Sequence, residues 1–360
     1  MIAREWRRWV VGGAGVAFVA LVGVALWKTS DGRTEAGLEA HVRIPAGVMG
    51  TTCRLIAVTD ASSDVGSAAR AASALIEAEA RLRAVEARMS VWIEESEVSR
   101  LNRAPVGRPT PLSSDTLRVL HVARAATQQT GGAFDATCRP MIELWRRAGR
   151  DGRWPSDDAI AAARAASCWE GLRSTSTSVV RLDEGFGVDL GGVAKGYAID
   201  RALEALGAAD LRGGLVEVGG DLACFGCAPD GGAWRVEIKG FAEEADDVGT
   251  VLGAIRLDVG GAVCTSGDYA RFSEIEGRRV SHIVDPRTGR PADAVASVTV
   301  VAPDAMTADV WATALSVLGE DGLDRLPDGV EARLDFRAAP PHKTRRTNGF
   351  PCLGDLSRQP

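Results

Sequence analysis

The segment DLGGVAKGYAID, residues 189–200, combines residue types that suit an anion. Gly191, Gly192 and Gly196 allow the backbone to come close to a ligand, and Lys195 lies where a helix would begin. The free N–H groups and the dipole of a helix N-terminus favour phosphate. The spacing matches neither GxxxxGK[ST] nor GxGxxG. On its own, therefore, the segment indicates a structural turn as readily as a phosphate site.

A second cluster, TADVWATAL, places Asp309 and Thr313 four residues apart and so on one face of a helix. A carboxylate and a hydroxyl are hard oxygen ligands. Completed by a backbone carbonyl, waters and phosphate oxygens, they suit Mg²⁺ better than zinc. The alternative is a structural pair, with Asp309 in an early turn of the helix and Thr313 packed in a core.

A third cluster surrounds His282, one of 4 histidines, in the strand-like stretch SHIVDPRTGRP. An imidazole at the end of a strand can act as a base, because its pKa lies near neutral pH. The other three, His41, His121 and His342, lie in a linker, a helix and a tail. No GxSxG or SxxK pattern is present, so a serine nucleophile is not the leading interpretation.

The elements that must position these residues follow from the apolar spacing. Residues 66–90 have the pattern of an amphipathic helix, a second helix begins near Ser113 and ends by 130–132, and a third spans 304–319. Seven separate strand-like segments lie within 177–303. Helices towards both ends with many strands between them predict an α+β fold, with mixed or antiparallel sheets and flanking helices.

The N-terminus has a different character. Residues 9–27 carry no charge and follow three arginines. As a helix this run is about 28 Å long, near the hydrocarbon thickness of a bilayer. Arginines on the short side predict a cytoplasmic N-terminus, residues 1–8, and an exported remainder on the periplasmic or extracytoplasmic side of the cell membrane. We expect an uncleaved single-pass transmembrane helix; a cleaved signal peptide is the alternative, although no clear cleavage site follows Leu26.

The remaining organisation is predicted from composition. A linker at 28–47 precedes one domain at 48–337, and a polar, proline-rich disordered tail occupies 338–360. Within the domain, the charged stretch at 146–158 is predicted to be a loop. The net charge of −6 argues against nucleic acid as a partner, since binding to a phosphate backbone needs a basic surface.

Many separate motifs together resemble one family, the FAD:protein FMN transferases or ApbE family, and they occur in the expected order. The resemblance covers roughly residues 48–335, and the ordered set is far more specific than any single motif. The motifs are MGT (49–51), MSVWIEESEVSRLNRA (89–104), TGGAFDATCRPMIELW (130–145), DLGGVAKGYAID, VEVGGDL, TSGDYARF, SHIVDPRTGRP and SVTVVAPDAMTADVWATAL (297–315).

The resemblance implies an α+β fold that binds FAD as substrate and a divalent metal, usually Mg²⁺. FAD would be split at its pyrophosphate, FMN joined through its phosphate to a threonine of a target protein, and AMP released. His282 is similar to the histidine that activates the acceptor hydroxyl. The implied metal ligands are Asp309, Thr313 and a main-chain oxygen at Gly192. The implied FAD contacts are Met49, Trp92, Ala133, Phe134, Asp135, Asp189, Lys195 and Ile283.

The sequence departs from the family pattern at Cys138 and Arg139, where apolar or glycine-like residues are expected, and at the acidic pair of VWIEESE. Two other functions use the same residues: an FAD pyrophosphatase that releases FMN and AMP, and a non-catalytic membrane-anchored flavin-binding protein. A base and a metal pair together favour catalysis over binding alone. The expected partners are threonine-bearing acceptor proteins, most naturally membrane redox subunits with an exported flavin site.

Overall fold

The computed structural model describes six stretches of the chain. The predicted membrane helix at 9–27 lies outside them, as do residues 28–36 of the predicted linker. None of the helices within them has both the length and the apolar character needed to cross a bilayer. The described residues are 37–61, 65–239, 251–267, 272–293, 295–336 and 343–355.

The helices begin and end close to the positions that the sequence predicts. Ser113 accepts a hydrogen bond from the backbone N–H of Thr116, and Asp304 accepts one from Thr307, so that each satisfies a donor at a helix start. The described part contains α1 Val65–Met89, α2 Glu97–Arg103, α3 Ser114–Gln129, α4 Arg139–Asp151, α5 Asp157–Ala165, α6 Ala194–Gly207 and α7 Ala305–Leu318.

Short strands account for much of the rest. They are β1 Leu38–Arg43, β2 Cys53–Asp60, β3 Pro109–Pro111, β4 Leu172–Ser174, β5 Ser178–Arg181, β6 Gly213–Val218, β7 Asp221–Gly226, β8 Trp234–Lys239, β9 Val251–Leu257, β10 Gly260–Gly267, β11 Phe272–Ile275, β12 Arg278–Ser281, β13 Val284–Asp285, β14 Arg290–Pro291, β15 Ser297–Ala302, β16 Glu331–Asp335, β17 Thr344–Arg346 and β18 Cys352–Asp355.

One large sheet organises the fold. Its 8 strands run in the order β1-β2-β6-β7-β10-β15-β16-β17, and every neighbouring pair is antiparallel. Alternate residues of β2 face opposite sides, so that Leu55 and Ala57 enter the main core while Ile56 and Val58 enter a second core. The predicted α+β class is confirmed, and the large sheet is antiparallel throughout.

Helices cover one face of this sheet and a second, smaller sheet covers the other. Helices α1, α6 and α7 pack over the first face, and α1 buries Leu75, Ala78, Leu82, Val85 and Met89 at the three- and four-residue spacing of one helical stripe. Strands β18, β9 and β8 cover the opposite face. The fold therefore has three layers.

Two segments expected to lack regular structure contain strands. β1 lies in the predicted linker and pairs with β2. β17 and β18 lie in the predicted disordered tail and pair with β16 and β9. Leu38 and Phe350 are buried in the second core, so apolar packing and edge pairing together stabilise these ends. For the described residues, the predictions of a linker and a disordered tail were wrong.

A third correction concerns the predicted charged loop at 146–158. Helix α4 covers its first half, and Met141, Trp145 and Ala148 form a buried stripe on that helix. Their side chains share a small core with Ile275 of β11 and other residues of α5, β12 and β13. The many arginines of this stretch hid the amphipathic pattern, because they lie on the opposite side of the same helix.

Helices α6 and α7 approach each other closely at Gly196. A Cβ atom built there would lie 2.2 Å from the backbone oxygen of Ala305, far inside van der Waals contact. Only a glycine allows this approach. The contact also joins the starts of the two helices, which carry Lys195 and Asp309.

We expect Gly196→Ala to destabilise the fold by about 3 kcal/mol, because a methyl group would force the two backbones apart. Gly207→Ala in the same helix is the matched control, since a Cβ there meets nothing within 4 Å. The control should be neutral or stabilising by about 0.5 kcal/mol. Urea unfolding of both variants tests this expectation, and equal stabilities would contradict it.

Candidate active site

Asp309 lies one turn into α7 and is 4% exposed. Its Oδ2 accepts a hydrogen bond of 3.0 Å from the backbone N–H of Gly196, in the first turn of α6. First-turn N–H groups have no partner within their own helix, so Asp309 caps α6 from the neighbouring helix. Its other oxygen, Oδ1, makes no hydrogen bond within the described residues and remains available to a ligand.

Lys195 stands at the start of α6 and forms an ion pair with Asp221, the first residue of β7. The Asp221 carboxylate is almost fully buried, and its Oδ1 accepts a 2.8 Å hydrogen bond from the backbone N–H of Thr265 on β10. Asp221 therefore fixes the position of the ammonium group. The Lys195 side chain remains 29% exposed, so it can also meet a ligand.

The charges of this cluster are strongly coupled. Burial raises the pKa of Asp309 to about 7; Lys195 opposes the shift and Asp221 reinforces it. Burial alone would lower the pKa of Lys195, but the carboxylates of Asp221 and Asp309 outweigh it and hold that pKa above its ordinary value. Lys195 is therefore charged at neutral pH, and two acidic residues surround one cation.

Gly192 brings the backbone to the same place. A Cβ atom added there would lie 3.0 Å from Oγ1 of Thr313 and 3.1 Å from the ring of Phe134. The structure thus brings together Gly192, Thr313 and Phe134, and Asp309 lies one turn before Thr313 in α7. A carbonyl, a hydroxyl and a carboxylate, all hard oxygen donors, come from one small region.

The segment 133–137 is tied to Asp189. The backbone N–H of Asp189 donates to the carbonyl oxygen of Ala136 at 2.8 Å. Asp135 accepts two 2.8 Å hydrogen bonds from Thr137, one from its backbone and one from its hydroxyl. Burial raises the pKa of Asp135, with these hydrogen bonds opposing the shift. Ala133 and Phe134 are buried in the same segment.

Arg139, one of the departures from the family pattern, faces Asp189. Its Nη1 lies 3.9 Å from Oδ2 of Asp189, too far for a hydrogen bond, and both atoms are buried without a hydrogen-bond partner. The other oxygen of Asp189 accepts from the N–H of Gly191 at 2.9 Å. Arg139 therefore offsets the charge of a carboxylate that the resemblance assigns to FAD.

Met49 and Trp92 reach the surface from separate turns. Met49 has a positive φ of 51°, which is unusual for a side chain of its size, in a turn closed by a 3.1 Å hydrogen bond from Thr51 to Val48. Trp92 is 78% exposed, and the guanidinium of Arg146 on α4 lies 4.7 Å from its ring centre. No described hydrogen bond joins either residue to Asp309.

His282 follows β12 directly and is exposed. The backbone N–H of Ile283 donates to Oγ of Ser281 at 3.1 Å, and its carbonyl accepts from Ala292 at 2.9 Å. These bonds hold the short segment between β12 and β13. His282 therefore lies on a hairpin edge that an incoming protein can reach.

Two residues that the sequence reasoning missed take part in the cluster. Asp221 anchors Lys195, and Asp200 accepts hydrogen bonds of 2.7 and 2.9 Å from the N–H groups of Ala305 and Met306 at the start of α7. Both belong to motifs quoted for the resemblance. In the sequence, Asp221 stands directly after the Gly219-Gly220 turn, and Asp200 stands one helical turn after Gly196. These two positions were the signal that could have identified them.

The ApbE family matches residues 49–334 of the sequence. The chain belongs to the ApbE family. It is 34% identical over 243 residues to a FAD:protein FMN transferase of Vibrio cholerae, which covers 67% of this chain and 72% of that protein. It is 33% identical over 262 residues to one of Klebsiella pneumoniae, which covers 70% and 73%.

Solved ApbE structures have the same architecture. The flavinyl transferase ApbE of Pseudomonas stutzeri, in its apo form, matches with a TM-score of 0.71 and 29% identity over 86% of this chain and 95% of that chain. The flavin transferase ApbE of Vibrio cholerae matches with a TM-score of 0.72 and 28% identity over 86% and 98%.

The raised pKa of Asp309 predicts a pH effect on stability in the presence of a chelator. The folded state binds this proton more tightly than the unfolded chain, whose value is near 3.8. The stabilisation is therefore complete below about pH 4 and is lost as the pH rises through about 7. Asp309→Asn keeps an oxygen for the Gly196 N–H but does not titrate.

The free energy of unfolding of the wild type, minus that of Asp309→Asn, should fall by on the order of 4 kcal/mol as the pH rises from about 4 to about 7. Urea denaturation at a series of pH values measures the difference. A difference that does not change with pH would show that the pKa of Asp309 is not raised.

Proposed function

We propose that this chain transfers FMN from FAD to a threonine side chain of a target protein and releases AMP. Family membership over 49–334 and relatives named FAD:protein FMN transferase support FMN transfer from FAD to a protein. The arrangement that carries the proposal is the cluster of Lys195, Asp221 and Asp309 beside Gly192 and Thr313, in which anion-binding and cation-binding groups adjoin.

We propose Mg²⁺ as the cation, held by Asp309, Thr313 and the carbonyl of Gly192. The residues fit: the donors are hard oxygens, and the glycine leaves open a space next to the Thr313 hydroxyl that a Cβ would fill. A bound Mg²⁺ offsets the charge of a diphosphate and of the leaving group. Mg²⁺ should raise the melting temperature of the wild type and not that of Asp309→Asn, and an equal rise would remove Asp309 from the metal site.

The other residues of the site are proposed to bind different parts of FAD. Lys195 meets the diphosphate charge from the start of α6, where the helix dipole also favours an anion. Trp92 and Phe134 offer ring faces for stacking. Met49, Ala133, Asp135, Asp189 and Ile283 are proposed as the remaining FAD contacts.

We propose that His282 accepts the proton of the acceptor hydroxyl. A threonine hydroxyl is a weak nucleophile, so a base within hydrogen-bond reach assists its attack on the FMN phosphorus. The new bond joins the threonine oxygen to that phosphorus as the bond to the AMP phosphate breaks. The exposure of His282 supports this role, because the acceptor arrives from solvent.

One experiment tests the function and its nearest alternatives. Full-length protein is incubated with FAD, Mg²⁺ and a candidate acceptor, and the acceptor is then weighed by mass spectrometry. We expect the acceptor to gain one FMN unit, with AMP formed in equal amount. FMN and AMP without a labelled acceptor would indicate a pyrophosphatase, and intact FAD would indicate a binding protein.

We propose that residues 9–27 anchor the protein in the cell membrane, with the catalytic domain on the exported side. The uncharged run after three arginines supports this topology. The natural acceptors would then be membrane redox subunits whose flavin sites face the same compartment. Protease added outside cells with a permeable outer layer should digest the domain, and full protection would overturn the topology.

The variant His282→Ala distinguishes two roles of this histidine: a base that acts on the acceptor hydroxyl, and a residue that only binds FAD. If His282 acts only on the acceptor hydroxyl, FAD affinity should stay near normal while the transfer rate falls about 10²- to 10⁴-fold. Part of the loss should return at high pH, where hydroxide can replace the base. FAD titration and single-turnover transfer on the same variant measure both quantities. A loss of rate fully explained by weaker FAD binding would show that His282 is not the base.

A further inference from the structure

The exposed aromatic side chains of the described residues gather on one part of the surface. Trp92, Trp154 and Phe272 are 78%, 37% and 50% exposed, and the other described tryptophans are buried. Exposing an indole or a phenyl ring to water is unfavourable, so a cluster of them indicates a surface that meets something else. All three lie around α4 and the hairpin formed by β11 and β12.

Direct contacts hold these pieces together. Arg146 on α4 lies over the ring of Trp92 at 4.7 Å, and Trp154 packs edge-on against Trp145 of α4 at 5.1 Å. A Cβ atom at Gly149 of α4 would lie 2.6 Å from Oγ of Ser273 on β11. Helix α4 and the β11–β12 hairpin therefore form one continuous surface over the small core that contains Met141, Trp145 and Ile275.

The hairpin adds a ring and a charge to this surface. The guanidinium of Arg279 on β12 lies 3.9 Å from the ring centre of Phe272 on β11. The backbone N–H of Trp154 donates to Glu276, in the hairpin turn, at 3.4 Å. Two of the three exposed rings thus carry an arginine on one face.

The same surface carries arginines without a compensating charge. Arg147, Arg150, Arg153 and Arg278 form no ion pair within the described part of the chain, unlike Arg139, which pairs with Glu143. We call these four residues the arginine face. Residues 139–154 and 272–281 together hold seven arginines, these four with Arg139, Arg146 and Arg279, against four carboxylates, those of Glu143, Asp151, Glu274 and Glu276. This surface is therefore positive, whereas the whole chain has a net charge of −6.

The arginine face is continuous with the proposed site of chemistry. β12 carries Arg278 and ends at Ser281, and His282 follows it directly. Trp92, which the resemblance assigns to FAD, lies at the other border of the surface beneath Arg146. A protein that covers the arginine face and extends along β12, a distance of about 13 Å from Arg278, would reach His282.

We propose that the arginine face is the docking surface for the acceptor protein, and that it fits an acceptor whose surface is acidic around the modified threonine. This inference rests on the proposed function. Exposed tryptophan and arginine side chains are the residues most enriched where proteins bind each other. Uncompensated positive charge attracts a negative partner and mainly increases the rate of its association.

An anionic membrane surface is the other occupant that arginine and tryptophan suit. The acceptor is favoured because the surface borders His282. A membrane covering the arginine face would obstruct the approach of a threonine to that histidine. An acceptor protein bound there brings its hydroxyl to the base and needs no second docking site.

The test uses full-length protein in neutral detergent micelles and an acceptor that the wild type has already been shown to label. The function is then settled before the surface is tested. The test variant is Arg147→Gln/Arg150→Gln/Arg153→Gln, which leaves Arg146, Arg279 and His282 in place. The matched control is Arg70→Gln/Arg173→Gln/Arg235→Gln, because those three arginines are exposed, form no ion pair in the described part, and lie on α1, β4 and β8.

We expect kcat/KM for the acceptor to fall about 10-fold in the test variant at low salt, and its salt dependence to flatten. The KM for FAD should not change, and the control should behave as the wild type. Polyaspartate should compete with the acceptor in the wild type, and polylysine should not.

Two results would overturn the proposal. Wild-type kinetics toward the acceptor in the test variant would show that the arginine face does not bind it. If that variant also lost affinity for phosphatidylglycerol vesicles, the face would be a membrane contact. An equal loss in both triple variants would mean that general charge, and not this surface, attracts the acceptor.

Discussion

The close crossing of α6 and α7 is the constraint on which the site depends. Gly196 lets the two backbones meet, and each helix then supplies a carboxylate to the N-terminus of the other: Asp309 caps α6 and Asp200 caps α7. This exchange satisfies donors that a helix end leaves open. It also fixes Lys195 and Asp309 relative to each other, so the groups that hold an anion and a cation move as one unit.

Burying several carboxylates at this crossing is electrostatically costly. Asp309 and Asp221 lie beside a single ammonium, that of Lys195, and burial raises the pKa of Asp309 to about 7 and that of neighbouring Asp200 to about 6. A cation bound nearby would stabilise the ionised form of these carboxylates and lower their pKa again. The fold thus brings more carboxylates than ammonium groups to one place, which favours the binding of a cation there.

Local patterns predicted much of this arrangement, and non-local pairing explains what they missed. The spacing of Leu75, Leu82 and Met89 identifies α1, and Asp309 and Thr313 had to share a helical face. α4 was missed because its arginines dominate the composition of a helix whose buried stripe is only Met141, Trp145 and Ala148. The role of Asp221 could not be read, since its partner Lys195 comes from another element and only the fold brings them together.

The pairing of β18 with β9 has a consequence for how the chain acquires its structure. Ile255 of β9 and Cys352 of β18, almost 100 residues apart, must meet to complete the smaller sheet. Contacts so distant along the chain form slowly, because a long loop must close before they can stabilise anything. The smaller sheet therefore forms after the local contacts of the helices, and its apolar face stays open to solvent during folding until β18 has paired.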